Sequence, residues 1–271
     1  MATLLSFHAH PDDESIGCGG TLARAAAEGH RVVLVVATRG ELGEAVPGVL
    51  AEGEPLWRRR VAETEAAARV LGVHRVEFLG YRDSGMAGDP ANTHPRAFAA
   101  APVDEAAERL AVLLREESAE VLTVYDDHGG YGHPDHVQVH RVGLRAAELA
   151  GTARVYQQTV NRDRMRKGRK AFAARAAAGA EVPGRAGGET RDDEAFGKPE
   201  AEITAAVDVR EYTGQKRRAL RAHASQIGER SVFLAMPDEV FRFAFGTEWY
   251  VRAGQGPGIT ETDLLAGLPA G

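Results

Sequence analysis

Cysteine is almost absent: Cys18 is the only one among 271 residues. An intrachain disulfide and a zinc site built on several thiolates are therefore excluded, and a reducing, cytoplasmic setting is expected. Long apolar runs are missing too. The longest, Val32 to Ala37, is strand-sized, which argues against a membrane-spanning helix. Positive charge is not in excess, with 33 basic against 39 acidic residues and a formal net charge of −6. No global basic field would recruit nucleic acid or an anionic membrane. The start, Met1-Ala2-Thr3-Leu4-Leu5, lacks a basic n-region and enters a strand at once, so no signal peptide is expected. Familiar catalytic strings are absent as well: no Walker A lysine motif, no Gly-x-Ser-x-Gly elbow and no His-Glu-x-x-His. Gly17-Cys18-Gly19-Gly20 imitates a phosphate loop, but Leu22 stands where the dinucleotide fingerprint needs its third glycine. Close helix–sheet packing is the better reading of those glycines.

What is present is a regular alternation of strand and helix patterns. Strands are expected over 3–9, 31–38, 75–79, 120–125 and 154–160, and helices over 19–28, 55–71, 103–117 and 134–150. Repeated βα units of this length predict an α/β fold: a Rossmann-like, mostly parallel, doubly wound sheet with helices on both faces. A single domain is expected, with 1–160 as the α/β core. Residues 161–200, rich in Arg, Ala and Gly, read as an irregular insertion with one helix and a mobile excursion. Residues 201–253 read as a smaller C-terminal cap containing a strand over 203–209 and a helix over 215–225, and 254–271 as a fraying tail. The basic stretch Arg162 to Arg175 is better explained as a solvated helix face than as a nucleic-acid site.

The chemistry lies in two cassettes, Ala9-His10-Pro11-Asp12-Asp13-Glu14 and Gly132-His133-Pro134-Asp135-His136. Each follows a predicted strand. In a parallel sheet the loops after successive strands share one edge, so residues 126 positions apart, such as His10 and His136, can meet there. Without cysteine, zinc is held by imidazole nitrogen and carboxylate oxygen, and a catalytic site uses three protein ligands plus water. His10, Asp13 and His136 are the expected ligands. Metal-assisted hydrolysis then needs a carboxylate that is not a ligand to take the proton from water, for which Asp12 is suited. It also needs a donor for a developing oxyanion, for which His133 is suited. Arg39, Glu41, Arg60 and Asp83 are expected at the same edge, where carboxylates and arginines can hold a polar substrate. Ser84 has no adjacent base, so it is read as a loop hydrogen-bonding residue rather than a nucleophile.

The two cassettes, with Arg60-x-x-Glu63 between them, resemble the PIG-L/LmbE-like family of zinc-dependent N-acetylglucosamine deacetylases. Arg82-Asp83-Ser84-Gly85-Met86 and Gly129-Gly130-Tyr131-Gly132 are similar to its actinobacterial branch, which includes the mycothiol-pathway N-acetylglucosaminyl-inositol deacetylase and the mycothiol-conjugate amidase. Leu220 to Gln226 is similar to a late helix of the family. The resemblance implies His10, Asp13 and His136 as metal ligands, Asp12 as general base and His133 as the second catalytic imidazole. It further implies Tyr131 as a tyrosine closing over substrate, and Arg60 and Asp83 on sugar hydroxyls. The implied partner is a small amino-sugar substrate, with zinc or ferrous iron as cofactor. The aglycone, the choice between deacetylase and conjugate amidase, and the oligomeric state, a homo-oligomer included, stay open. Two readings from other classes compete: a non-catalytic nucleotide-binding Rossmann module, and a phosphoesterase with more carboxylates and a second metal ion.

Overall fold

The computed structural model describes residues 1–177 and 196–269. Seven strands form one sheet in the order β3-β2-β1-β4-β5-β7-β6. They are β1 (Thr3–His8), β2 (Arg31–Val36), β3 (Arg75–Phe78), β4 (Val121–Tyr125), β5 (Arg154–Thr159), β6 (Ala205–Asp208) and β7 (Thr247–Arg252). The first five are parallel, in the doubly wound arrangement the alternating pattern predicts. β1, β2 and β4 are buried almost throughout, as their near-continuous apolar runs require of strands covered on both faces.

The helices are α1 (Asp13–Gly17), α2 (Gly19–Ala27), α3 (Leu56–Leu71), α4 (Val103–Glu116), the short turn α5 (Gly129–Gly132), α6 (Pro134–Ala150), α7 (Arg162–Ala177), α8 (Thr213–Ala222), α9 (Val232–Ala235) and α10 (Asp238–Phe245). One core face joins Leu5, Phe7, Val33 and Val35 to Leu110, Leu114, Val139 and Val142 of α4 and α6. The other joins Leu4, Val32 and Tyr156 to Leu22 of α2, Leu71 of α3 and Ala219 of α8.

The C-terminal part departs from expectation. Residues 247–252, read as part of a cap, form β7, which lies inside the sheet antiparallel to both β5 and β6. Alternation explains it: Glu248 and Tyr250 point into the protein while their neighbours are half-buried. Within the described residues the tail packs back onto the sheet, against the fraying expected from the sequence. Leu264 and Leu265 are buried in the second core face, and the Glu261 carbonyl accepts the amide of Ala206. The insertion leaves and re-enters at one place, since Lys198 N–H donates to Val160 O and Arg162 N–H donates to Lys198 O. The excursion expected after α7 falls largely on 178–195, outside the described residues.

Candidate metal centre

Both cassettes sit at the C-terminal ends of neighbouring strands, β1 and β4, and face each other across the sheet edge. After β1 the chain turns sharply: Asp12 has φ 95°, in the left-handed region, and Asp13 opens α1. The amide of His10 donates to Asp13 Oδ2 at 2.9 Å, which fixes that carboxylate under the loop. After β4, α5 leads to His133, the N-cap of α6, with Pro134 in the first helical position as a helix start prefers. Gly129 makes the approach feasible. Its φ is positive, and a Cβ there would stand 2.6 Å from that of His136.

These loops bring three side-chain atoms into a nearly equilateral triangle. His10 Nδ1 and Asp13 Oδ2 are 3.4 Å apart, His136 Nε2 and Asp13 Oδ2 3.4 Å, and His136 Nε2 and His10 Nδ1 3.3 Å. Nitrogen and oxygen ligands about 2.1 Å from a tetrahedral zinc ion lie about 3.4 Å from each other, so this donor set fits such an ion. The rear nitrogens are also engaged. His10 Nε2 is 3.1 Å from Asp135 Oδ2 and 3.6 Å from Asp83 Oδ1, while His136 Nδ1 is 3.2 Å from Gly129 O. Such partners set the tautomer and leave the opposite nitrogen's lone pair for a cation. Tyr125 stacks flat on His136, with ring centroids 4.3 Å apart.

The charges follow this arrangement. Burial favours the neutral acid at Asp13, but the His136 charge and hydrogen bonds from His10 and His136 outweigh it and hold Asp13 well below the usual carboxylate range. Asp12, outside the triangle, is pushed up to about 6, chiefly by burial, with the Arg60 guanidinium opposing. Burial and the neighbouring His10 and His136 lower His133 to about 4. His133 Nδ1 accepts the amide of Asp135 at 3.1 Å, so in the neutral ring Nε2 carries the proton.

The remaining expected residues divide. Asp83 is buried, accepting the amides of Gly85 and Leu42, and Glu41 accepts the amide of Asp83. Arg60 is turned inward, its guanidinium donating to Pro11 O, Gly40 O and Asp12 Oδ2. Tyr131 is exposed at the rim, edge-on to His136 at 4.9 Å. Arg39 lies over the Trp57 ring. Ser84 hydrogen-bonds as expected, donating to Asp135 Oδ1.

Five residues behind the site were not singled out for a role from the sequence. Asp135 orients His10. Glu14 Oε2 accepts the amide of Asp12, while its Oε1 meets His223 Nε2 at 2.7 Å. Ser225 donates through its amide and hydroxyl to Glu63. Their signals were the lone aspartate of the second cassette, the glutamate closing the first, Glu63 of Arg60-x-x-Glu63, and Ala222-His223-Ala224-Ser225 late in the chain. Strand periodicity carries no information about such polar cross-links.

A family model described as GlcNAc-PI de-N-acetylase, PIG-L, matches residues 5–147. The chain belongs to the PIG-L family. A relative from Acidothermus cellulolyticus named 1D-myo-inositol 2-acetamido-2-deoxy-alpha-D-glucopyranoside deacetylase is 43% identical, over 99% of this chain and 96% of its own. One of the same name from Streptomyces griseus is 42% identical, over 98% and 89%. Among solved structures, the teicoplanin deacetylase Orf2 in its zinc-inhibited form superposes with TM-score 0.60 at 19% identity, over 94% of this chain and all of the other. GalB, a 4-carboxy-2-hydroxymuconate hydratase from Pseudomonas putida, superposes with TM-score 0.59 at 19% identity, over 94% and 97%. The same fold thus carries more than one reaction, and its chemistry lies in the residues of the site.

Proposed function

We propose that this protein is a metal-dependent N-acetyl hydrolase that removes acetate from an N-acetylglucosamine glycoside, with inositol as the aglycone. The observation that carries this reading is the triangle of His10, Asp13 and His136 with one carboxylate, Asp12, and one imidazole, His133, beside it but outside it. The near-full-length relatives named as inositol glycoside deacetylases support the substrate class.

A zinc or ferrous ion held by His10, Asp13 and His136 would acidify water and polarise the acetyl carbonyl. Asp12 accepts the proton from water as the oxygen adds to the carbonyl carbon. Its raised pKa, about 6, suits a base that must later give the proton up. His133 Nε2–H stabilises the oxyanion, and a proton reaches the amine nitrogen as the C–N bond breaks, yielding acetate and a free amine. Arg60 holds Asp12 by its Oδ2, so it acts on the base.

The nucleotide-binding alternative meets a specific obstacle. The amides of Gly20 and Thr21, which a phosphate would need at the start of α2, already donate to the Glu248 carboxylate. Lys216 Nζ pairs with that carboxylate at 2.6 Å. A Cβ on Gly20 would lie 2.5 Å from Val209, so the glycine serves close packing.

The deciding experiment incubates the metal-loaded protein with N-acetylglucosaminyl-inositol and with free N-acetylglucosamine, detecting primary amine. Release from the glycoside, with the higher kcat/KM, is the expected result. No amine from any acetylated amino sugar would defeat the reading.

A further inference from the structure

Three arginines gather in a recess beside the metal centre, in the loops that follow β2 and β3. Arg39, Arg82 and Arg96, with Glu41, Gly80 and Tyr81, line a polar cavity of about 70 Å³. Several arginines elsewhere lie against carboxylates, among them Arg31 and Arg75 on Glu117, Arg59 on Glu54 and Arg252 on Glu261. The three in the recess have no carboxylate within ion-pair distance among the described residues. Arg39 stacks on Trp57, and Arg82 Nη1 reaches only His94 Nε2, at 3.5 Å. Arg82 Nε is buried with no hydrogen-bond acceptor. Glu41, the acid on the wall, is committed to the Asp83 amide through Oε2.

Guanidinium groups around one cavity repel each other, and an anion relieves that repulsion through short charge-assisted hydrogen bonds. We propose that this recess is an oxyanion subsite of phosphate size, seated between Arg39, Arg82 and Arg96. Its position ties it to the metal centre: Asp83, the chain neighbour of Arg82, lies 3.6 Å from His10. The anion is either a phosphate carried by the aglycone of the substrate or free phosphate. The first source rests on the deacetylase reading above; the subsite itself does not.

Calorimetric titration of the metal-loaded protein with inorganic phosphate tests the subsite. One binding event is expected, weakened about tenfold or more in both Arg82→Gln and Arg96→Gln, the usual scale for losing a charge-assisted contact. Arg96 is exposed, so its variant separates loss of binding from loss of fold. Arg145→Gln, which removes an exposed arginine paired with Asp104, controls for net charge and should bind phosphate as the parent does. Absence of binding, or binding that survives both substitutions and disappears on chelation of the metal, overturns the proposal. A second arm compares kcat/KM for N-acetylglucosamine glycosides with phosphorylated and neutral aglycones. A preference for the phosphorylated form that Arg96→Gln abolishes assigns the anion to the substrate. Phosphate binding lost in the variants without such a preference assigns the subsite to free phosphate. If no glycoside is deacetylated, the functional reading fails while the titration still decides the subsite.

Discussion

At the scale of the residue, the site depends on two adjacent aspartates placed in different environments. Asp13 is held between two imidazoles, while Asp12 faces Arg60 across a turn whose backbone sits at positive φ. Substitutions should separate them. His136→Ala removes one corner of the triangle and is expected to abolish stoichiometric metal binding, measured by metal analysis after dialysis. Asp12→Asn is expected to retain the metal and lose kcat by roughly 10²–10⁴-fold, the scale of a general-base contribution. Metal lost from the Asp12 variant would mean that the two carboxylates exchange roles. The triangle was legible in the sequence because spacing within a tight loop and placement after a strand both constrain it. The inward turn of Arg60 was not legible, because its acceptors, Pro11 O and Gly40 O, are backbone atoms that any residue could supply.

Elements place these residues by long cross-links more than by local propensity. α1 is five residues long, too short to hold itself, and it went unseen in the sequence because no periodic pattern fits in so few residues. Glu14 stabilises it, accepting the Asp12 amide and meeting His223 at the end of α8, with both side chains fully buried. Glu14 is therefore a positioning residue for the proposed base. Glu14→Gln should lower kcat by about tenfold, the equivalent of one charge-assisted hydrogen bond, with metal content unchanged. Loss of metal along with activity would show that Glu14 supports the whole loop rather than Asp12. The parallel strands and their helices were readable because short continuous apolar runs alternate with stretches of helical period 3.6. β7 was not, because its Phe-rich approach through α10 masks a short alternating strand.

The whole molecule is tied at the other end of the sheet by a charged cluster. Glu117, after α4, takes Arg31 at the start of β2 and Arg75 at the start of β3. The Arg31 hydrogen bond, with help from Arg75, lowers Glu117 from the usual 4.5 to about 2. A depressed carboxylate contributes stability that is complete above its unfolded pKa and disappears as pH falls through the folded one. Glu117→Gln should therefore lower Tm at pH 7, and the difference from the parent should close between about pH 4.5 and pH 2. Thermal melts across that range check it, and a gap that persists at pH 2 would assign the effect to packing instead.

The strand order sets a schedule for biosynthesis. β6 is at the sheet edge and its neighbour is β7, which follows it in the chain and separates it from β5. A ribosome releasing the chain from its N-terminus at about 5–20 residues per second exposes the five parallel strands first. At that stage β5 is an open edge, His223 and Ser225 have yet to reach Glu14 and Glu63, and β6 emerges with nowhere to dock. The nascent protein can thus hold most of its sheet without a supported catalytic loop, until β7 closes the gap between β5 and β6.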